Sequence, residues 1–147
     1  MEELDELYQE VILDHYRNSR NNTPLPSPDI EYDGFNPFCG DEVVLQLKLA
    51  DGAVKQAGFH GQGCSISQAS ASMMTDLLKG KTLEEAIALS EVFRRMMSGQ
   101  EPSEEELEMI GDLEALKGVC KFPVRIKCAL LPWAALEDGI TEYRSQA

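Results

Sequence analysis

Hydrophobic positions recur at helical intervals along the first stretch of the chain. Leu4, Leu7, Tyr8, Val11 and Ile12 follow three- and four-residue steps, which predicts an amphipathic helix over Leu4–Tyr16 with His15 at the edge of its apolar stripe. Turn formers leading to a proline end it near Asn18. Pro24, Pro26 and Pro28 then predict a stiff, extended connection, followed by a short edge strand over Ile30–Asp33. From Val43 to Leu49 the period changes to alternation. Ala50, Asp51 and Gly52 supply a turn, and Val54 to His60 returns, so a β-hairpin is expected.

Beyond Cys64 the pattern is helical throughout. Ser65 or Ser67 is expected to cap a helix through Ala69, Met73, Met74, Leu77 and Leu78, with Gly80 stopping it. Thr82 and Glu85 have capping-box spacing and open a helix to about Met97. The acidic stretch Gly99–Glu108 reads as a surface excursion, and Asp112–Leu116 as a short helical piece. Phe122 and Pro123 mark the entry to a last helix, Val124 to about Tyr143, in which Pro132 predicts a kink or break. The fold class is therefore α+β, and 147 residues suit a single domain over 1–147.

Charge narrows the function. Thirteen basic side chains against 26 acidic ones give a net charge of −13, which speaks against a nucleic-acid partner, whose phosphates are held by Lys and Arg. The first 20 residues carry Glu2, Glu3, Asp5, Glu6 and Glu10 where a secretory leader needs cationic and apolar runs, and no apolar run is long enough to span a membrane. A cytoplasmic protein with reduced cysteines is expected, and there structured cysteines suggest metal or catalysis more than disulfides.

Three cysteines fall at element ends. Cys39 precedes a strand, with Gly40 between it and Asp41. Cys64 sits at a strand-to-helix junction, where the helix dipole and unpaired N–H groups favour a thiolate. Cys128 follows Arg125 and Lys127 at the start of the last helix. Three thiolates and a carboxylate would suit tetrahedral zinc. Spacing alone leaves this level with the alternative that buried cysteines only fill core. Cys120 has nothing to pair with and reads as structural or incidentally exposed. His15 and His60 read as hydrogen-bonded structural histidines, Met73, Met74, Met96 and Met97 as apolar filling, and Glu104–Glu106 as a solvated face.

Taken together, Asn-Pro-Phe-Cys-Gly-Asp at 36–41, Gly-Gln-Gly-Cys-Ser-Ile-Ser-Gln-Ala-Ser-Ala-Ser-Met-Met at 61–74 and Lys-Phe-Pro-Val-Arg-Ile-Lys-Cys-Ala at 121–129 resemble the SufU branch of the IscU/NifU N-terminal superfamily, as does the helix around residues 13–18. The resemblance runs in order over nearly the whole chain. It implies a three-stranded antiparallel sheet packed against several helices, with a metal site at one end. It also implies the ligands Cys39, Asp41, Cys64 and Cys128, with Cys39 as sulfur acceptor and Arg125 as a functional arginine beside Asp41 or the transferring sulfide. The implied activity is that of a zinc-dependent sulfurtransferase taking persulfide sulfur from a SufS-type cysteine desulfurase and serving downstream Suf cluster-assembly proteins. The alternative is a scaffold that assembles a labile [2Fe–2S] cluster on the same residues. Scaffolds of the IscU type carry a histidine before the third cysteine and a double proline upstream. Lys127 and the Lys-Phe-Pro-Val run at 121–124 depart from both features, and residues 99–118 look like an insertion of the SufU branch, so the balance moves to sulfur transfer.

Overall fold

The computed structural model describes residues 6–37 and 40–146, so Cys39 lies outside the described residues. The amphipathic N-terminal segment forms α1 (Glu6–Arg17), and the proline-rich connection leads to β1 (Ile30–Asn36). The expected edge strand is thus three residues longer than its pattern indicated, because its end pairs with the polar residues that open β2. The hairpin is β2 (Asp41–Ala50) and β3 (Ala53–Gln62), and the sheet is antiparallel in the order β1-β2-β3. The register sets Asn36 opposite Asp41 and Val43 opposite Gly61, so the polar end of β1 and the glycine-rich end of β3 flank the start of β2.

Alternation along β2 buries Val43, Leu45 and Leu47 completely. The longest helix, α5 (Pro123–Ser145), lies across β1 and β2, and α2 (Ser65–Leu78) packs beside it against β3 and β2. Gly34 and Gly139 let α5 approach β1 closely. A Cβ at Gly34 would lie 3.2 Å from that of Ala135, and one at Gly139 would lie 3.0 Å from Ile30 Cγ2. Helix α1 covers α2. The free edge of β3 is covered by the 18–29 connection, where Phe59 donates its N–H to the Asn21 carbonyl at 3.0 Å.

Trp133, Phe93, Leu89, Met73, Met74, Met96 and Met97 fill the interior between helices, so the methionines are core as expected. The Phe93 and Trp133 rings sit 5.3 Å apart at a tilt of 39°, an offset arrangement that aromatic quadrupoles favour. Trp133 Nε1 donates to Ser70 Oγ at 3.2 Å, and that hydroxyl donates to the Ala129 carbonyl at 2.6 Å. Ser70 of α2 thus gives the buried indole N–H of α5 a partner.

Four expectations are corrected. Cys64, not Ser65 or Ser67, occupies the N-cap of α2, and its side chain makes no capping bond. The segment read as a surface excursion contains α4 (Glu104–Ile110), opened by a second capping box in which Ser103 and Glu106 satisfy each other's N–H groups at 3.2 and 3.0 Å. The short piece after it is a 3-10 helix running from Gly111 to Lys121. Pro132 does not interrupt α5: the buried Leu131, Trp133, Ala135 and Leu136 on both sides hold the helix through the missing N–H. The capping box of α3 (Leu83–Met97) forms as predicted, with bonds of 3.1 and 2.9 Å. Among the described residues no helix is long and apolar enough to cross a membrane.

Candidate metal centre

Three chain junctions converge at the end of the sheet where β1 stops and α2 and α5 begin. Asp41 opens β2 and is completely buried. A buried carboxylate is costly unless it is bonded, and here Asp41 Oδ1 accepts the backbone N–H of Cys64 at 2.9 Å. Its other oxygen, Oδ2, lies 3.7 Å from Cys64 Sγ. The third member, Cys128, lies in the second turn of α5 and is also completely buried. One oxygen of Asp41 and the sulfurs of Cys64 and Cys128 all lie within 4.8 Å of one another. For a tetrahedral zinc with ordinary bond lengths, a sulfur and an oxygen ligand would stand about 3.5 Å apart. The observed 3.7 Å between Cys64 and Asp41 fits that edge, and soft sulfur with one carboxylate is a donor set zinc accepts.

Gly63 makes the arrangement possible. A Cβ there would lie 2.7 Å from Ser67 Oγ and would collide with Asp41 Oδ1, so any larger residue would push the carboxylate away from Cys64. Ser67, completely buried, donates to the Cys64 carbonyl at 3.1 Å and has its hydroxyl 3.9 Å from Cys64 Sγ. One turn along α2, the Gln68 side-chain NH₂ is buried with no hydrogen-bond partner among the described residues. Asn36, at the end of β1 and also buried, places its Nδ2 4.0 Å from Cys128 Sγ.

Arg125 lies in the first turn of α5, its side chain exposed above the sulfurs. Its proton affinity is raised first by the charge of Cys64 and also by that of Cys128, against an opposing effect of burial. The guanidinium is thus set against the two sulfurs, where it offsets part of the negative charge that thiolates and a carboxylate accumulate. A groove of about 270 Å³ opens on the flank of the site between Phe35, Asn36, Pro37, Lys127 and Leu130. Phe35, which lines it, is 62% exposed, and Val124 in the first turn of α5 is 63% exposed.

Three of the four expected ligands and the expected arginine are therefore brought together, while Cys39 belongs to the pair of residues outside the description. Cys120 is half-buried near the end of the 3-10 helix and does not join the cluster. His15 is a buried structural histidine, bonded to Ser72 and Asp112. Sequence reasoning missed Asn36, Gly63 and Ser67. Ser67 was within reach of a pattern argument, since it stands three residues after Cys64 on a helix. Gly63 and Asn36 were not, because their importance depends on partners 22 and more residues away.

Comparison with known proteins agrees with this architecture. Residues 7–129 match the model of the NifU-like N terminal domain. The zinc-dependent sulfurtransferase SufU of Bacillus subtilis is 51% identical over 139 residues, covering 95% of this chain and 92% of its own. An iron–sulfur cluster assembly scaffold protein IscU from Streptococcus pyogenes is 42% identical over 141 residues, covering 95% and 86%. Among solved structures, a putative iron–sulfur cluster assembly scaffold protein for the SUF system from Fervidobacterium islandicum superposes with a TM-score of 0.82 at 32% identity, over 88% of this chain and 93% of that one. With its sheet and its helix order in place, the chain belongs to the NifU-like N-terminal domain family, within the IscU/NifU superfamily.

Proposed function

We propose that this chain is a zinc-dependent sulfurtransferase for iron–sulfur cluster assembly, with Cys39, Asp41, Cys64 and Cys128 as ligands and Cys39 as the acceptor of persulfide sulfur from a SufS-type cysteine desulfurase. The observation that carries the reading is the convergence of one carboxylate oxygen and two cysteine sulfurs within 4.8 Å, beside an arginine. Its support from relatives is the zinc-dependent sulfurtransferase that is 51% identical.

Bound zinc would keep the cysteines as thiolates at neutral pH and shield them from oxidation. The transfer itself is thiol–disulfide exchange. The Cys39 thiolate attacks the outer sulfur of the partner's persulfide, a new S–S bond forms on Cys39, and the partner's S–S bond breaks with its electron pair. The partner's cysteine leaves as a thiolate, so no outside oxidant or reductant is needed. Arg125 is placed to hold the anionic sulfur as it arrives, and the groove beside Lys127 offers an approach for a partner's loop. Sulfur then passes to downstream Suf assembly proteins. Reduced thiols of this kind suit a cytoplasmic location.

The scaffold reading has its own support, since the same donor set suits a [2Fe–2S] cluster and two of the relatives above are named as scaffolds. Metal analysis of the purified protein together with desulfurase turnover separates the two. One zinc per chain, turnover stimulated by the wild type and loss of that stimulation in Cys39→Ala are the expected results. A coloured cluster passed on to apo-proteins, with no stimulation of the desulfurase, would favour the scaffold instead.

A further inference from the structure

Asn36 meets three parts of the site at once. Its backbone pairs with Asp41 across the ends of β1 and β2. Its carbonyl accepts the N–H of Gly40 at 2.9 Å. Its side-chain Nδ2 points at Cys128 Sγ from 4.0 Å, across 92 residues of sequence. The residue is only 6% exposed, so the amide is not spent on water.

Among the described residues around the cluster, an amide facing a sulfur has a definite effect. A carboxamide NH₂ only donates, and a thiolate only accepts. A donor aimed at a metal-bound thiolate withdraws charge from the sulfur, lowers its nucleophilicity and fixes its direction, as outer-shell partners do at metal sites. Cys64 and Cys128 share the guanidinium of Arg125, and the Asn36 amide adds a further donor on Cys128.

Resting on the zinc-site reading above, we infer that Asn36 is a positioning residue. It hydrogen-bonds the Cys128 thiolate through Nδ2 and so keeps that cysteine a ligand and not a nucleophile. One side chain would then link Cys128 of α5 to the end of β1, whose backbone pairs with Asp41.

Cobalt substitution reads this without any activity assay, through the thiolate-to-cobalt charge-transfer absorption. The wild type is expected to take up one cobalt. Asn36→Ala and Asn36→Ser are expected to load as well, with the band moved to lower energy in Asn36→Ala because the undamped sulfur gives up charge more easily. Asn36→Ser, which keeps a shorter donor, should fall between Asn36→Ala and the wild type. Zinc affinity in chelator competition should weaken by about 10–100-fold in Asn36→Ala, the range seen for lost outer-shell partners. Should the variants fail to fold, the unsubstituted protein still answers: the side-chain amide protons of Asn36 should move downfield in the NMR spectrum when zinc is added. Unmoved amide protons, or an unchanged band in a folded Asn36→Ala, would overturn the role of Asn36 alone. Failure of the wild type to bind cobalt or zinc would instead overturn the metal site beneath it.

Discussion

Two three-residue polar clusters lie in this small fold, each drawn from three separate elements, and they are built on opposite principles. In the first, His15 of α1 sits between Ser72 of α2 and Asp112 of the 3-10 helix, at 2.8 and 2.9 Å. Asp112 can only accept, so Nε2 carries a proton, and Nδ1 is satisfied by the Ser72 hydroxyl. Ser72 Oγ in turn accepts the backbone N–H of Arg20 at 2.8 Å. Donors and acceptors match in sequence along that chain, and nothing is left over for a ligand. In the second, Asp41, Cys64 and Cys128 bring together a carboxylate and two sulfurs that repel one another once ionised. Their donors (the Cys64 N–H, Asn36 and Arg125) do not neutralise them fully, and a cation would complete the set. A saturated cluster fastens helices, whereas an acceptor-rich one is left open to a cation.

Substitutions should separate the two clusters sharply. Asp41→Ala carries the largest expected effect. It removes one of the proposed ligands, so zinc affinity measured by chelator competition should fall by more than the roughly 10–100-fold of an outer-shell loss. The same substitution at the saturated cluster should leave metal content unchanged. Next comes Gly63→Ala. Its Cβ would strike the Asp41 carboxylate and the Ser67 hydroxyl. Strain of this sort costs about 1–3 kcal/mol, and zinc binding and the thermal midpoint should both drop. His15→Leu should lower stability by a similar ~1–3 kcal/mol in urea titration, because it leaves Ser72 with an unmet partner in the interior, yet zinc stoichiometry should stay at that of the wild type. If His15→Leu lost zinc, the two clusters would be coupled and the contrast between them would fail. Asp112→Asn should have the smallest effect. Its side chain is 62% exposed and its amide oxygen can still accept from His15 Nε2, so a change below about 1 kcal/mol is expected.

Much of the scaffold was legible along the chain because it is local. The alternation of Val43, Leu45 and Leu47, the turn at Asp51 and Gly52, and the Thr82–Glu85 box each depend on neighbours a few residues apart. The Ser103–Glu106 box had the same spacing, but the acidic composition around it suggested loop. The capping bonds were enough to start α4 there, with Ile110 buried at its end. Pro132 shows the opposite limit. Local chemistry predicts a kink or a break, and the break does not occur, because burial on both sides outweighs one lost hydrogen bond.

At the site, the divide between sequence and tertiary structure follows distance along the chain. The chain's residue types named the candidates with metal-binding chemistry, and local signals set Cys64 before a helix and Asp41 at the start of a strand. The sequence by itself could not determine that Asn36 would face Cys128, that Gly63 would make room for Asp41, or that His15 would be saturated by Ser72 and Asp112. Those pairings span from 22 to 97 residues. Only the packing of α5 and α2 against the sheet brings them within a few ångströms, and at that range hydrogen-bond direction and steric exclusion decide what each polar group can do.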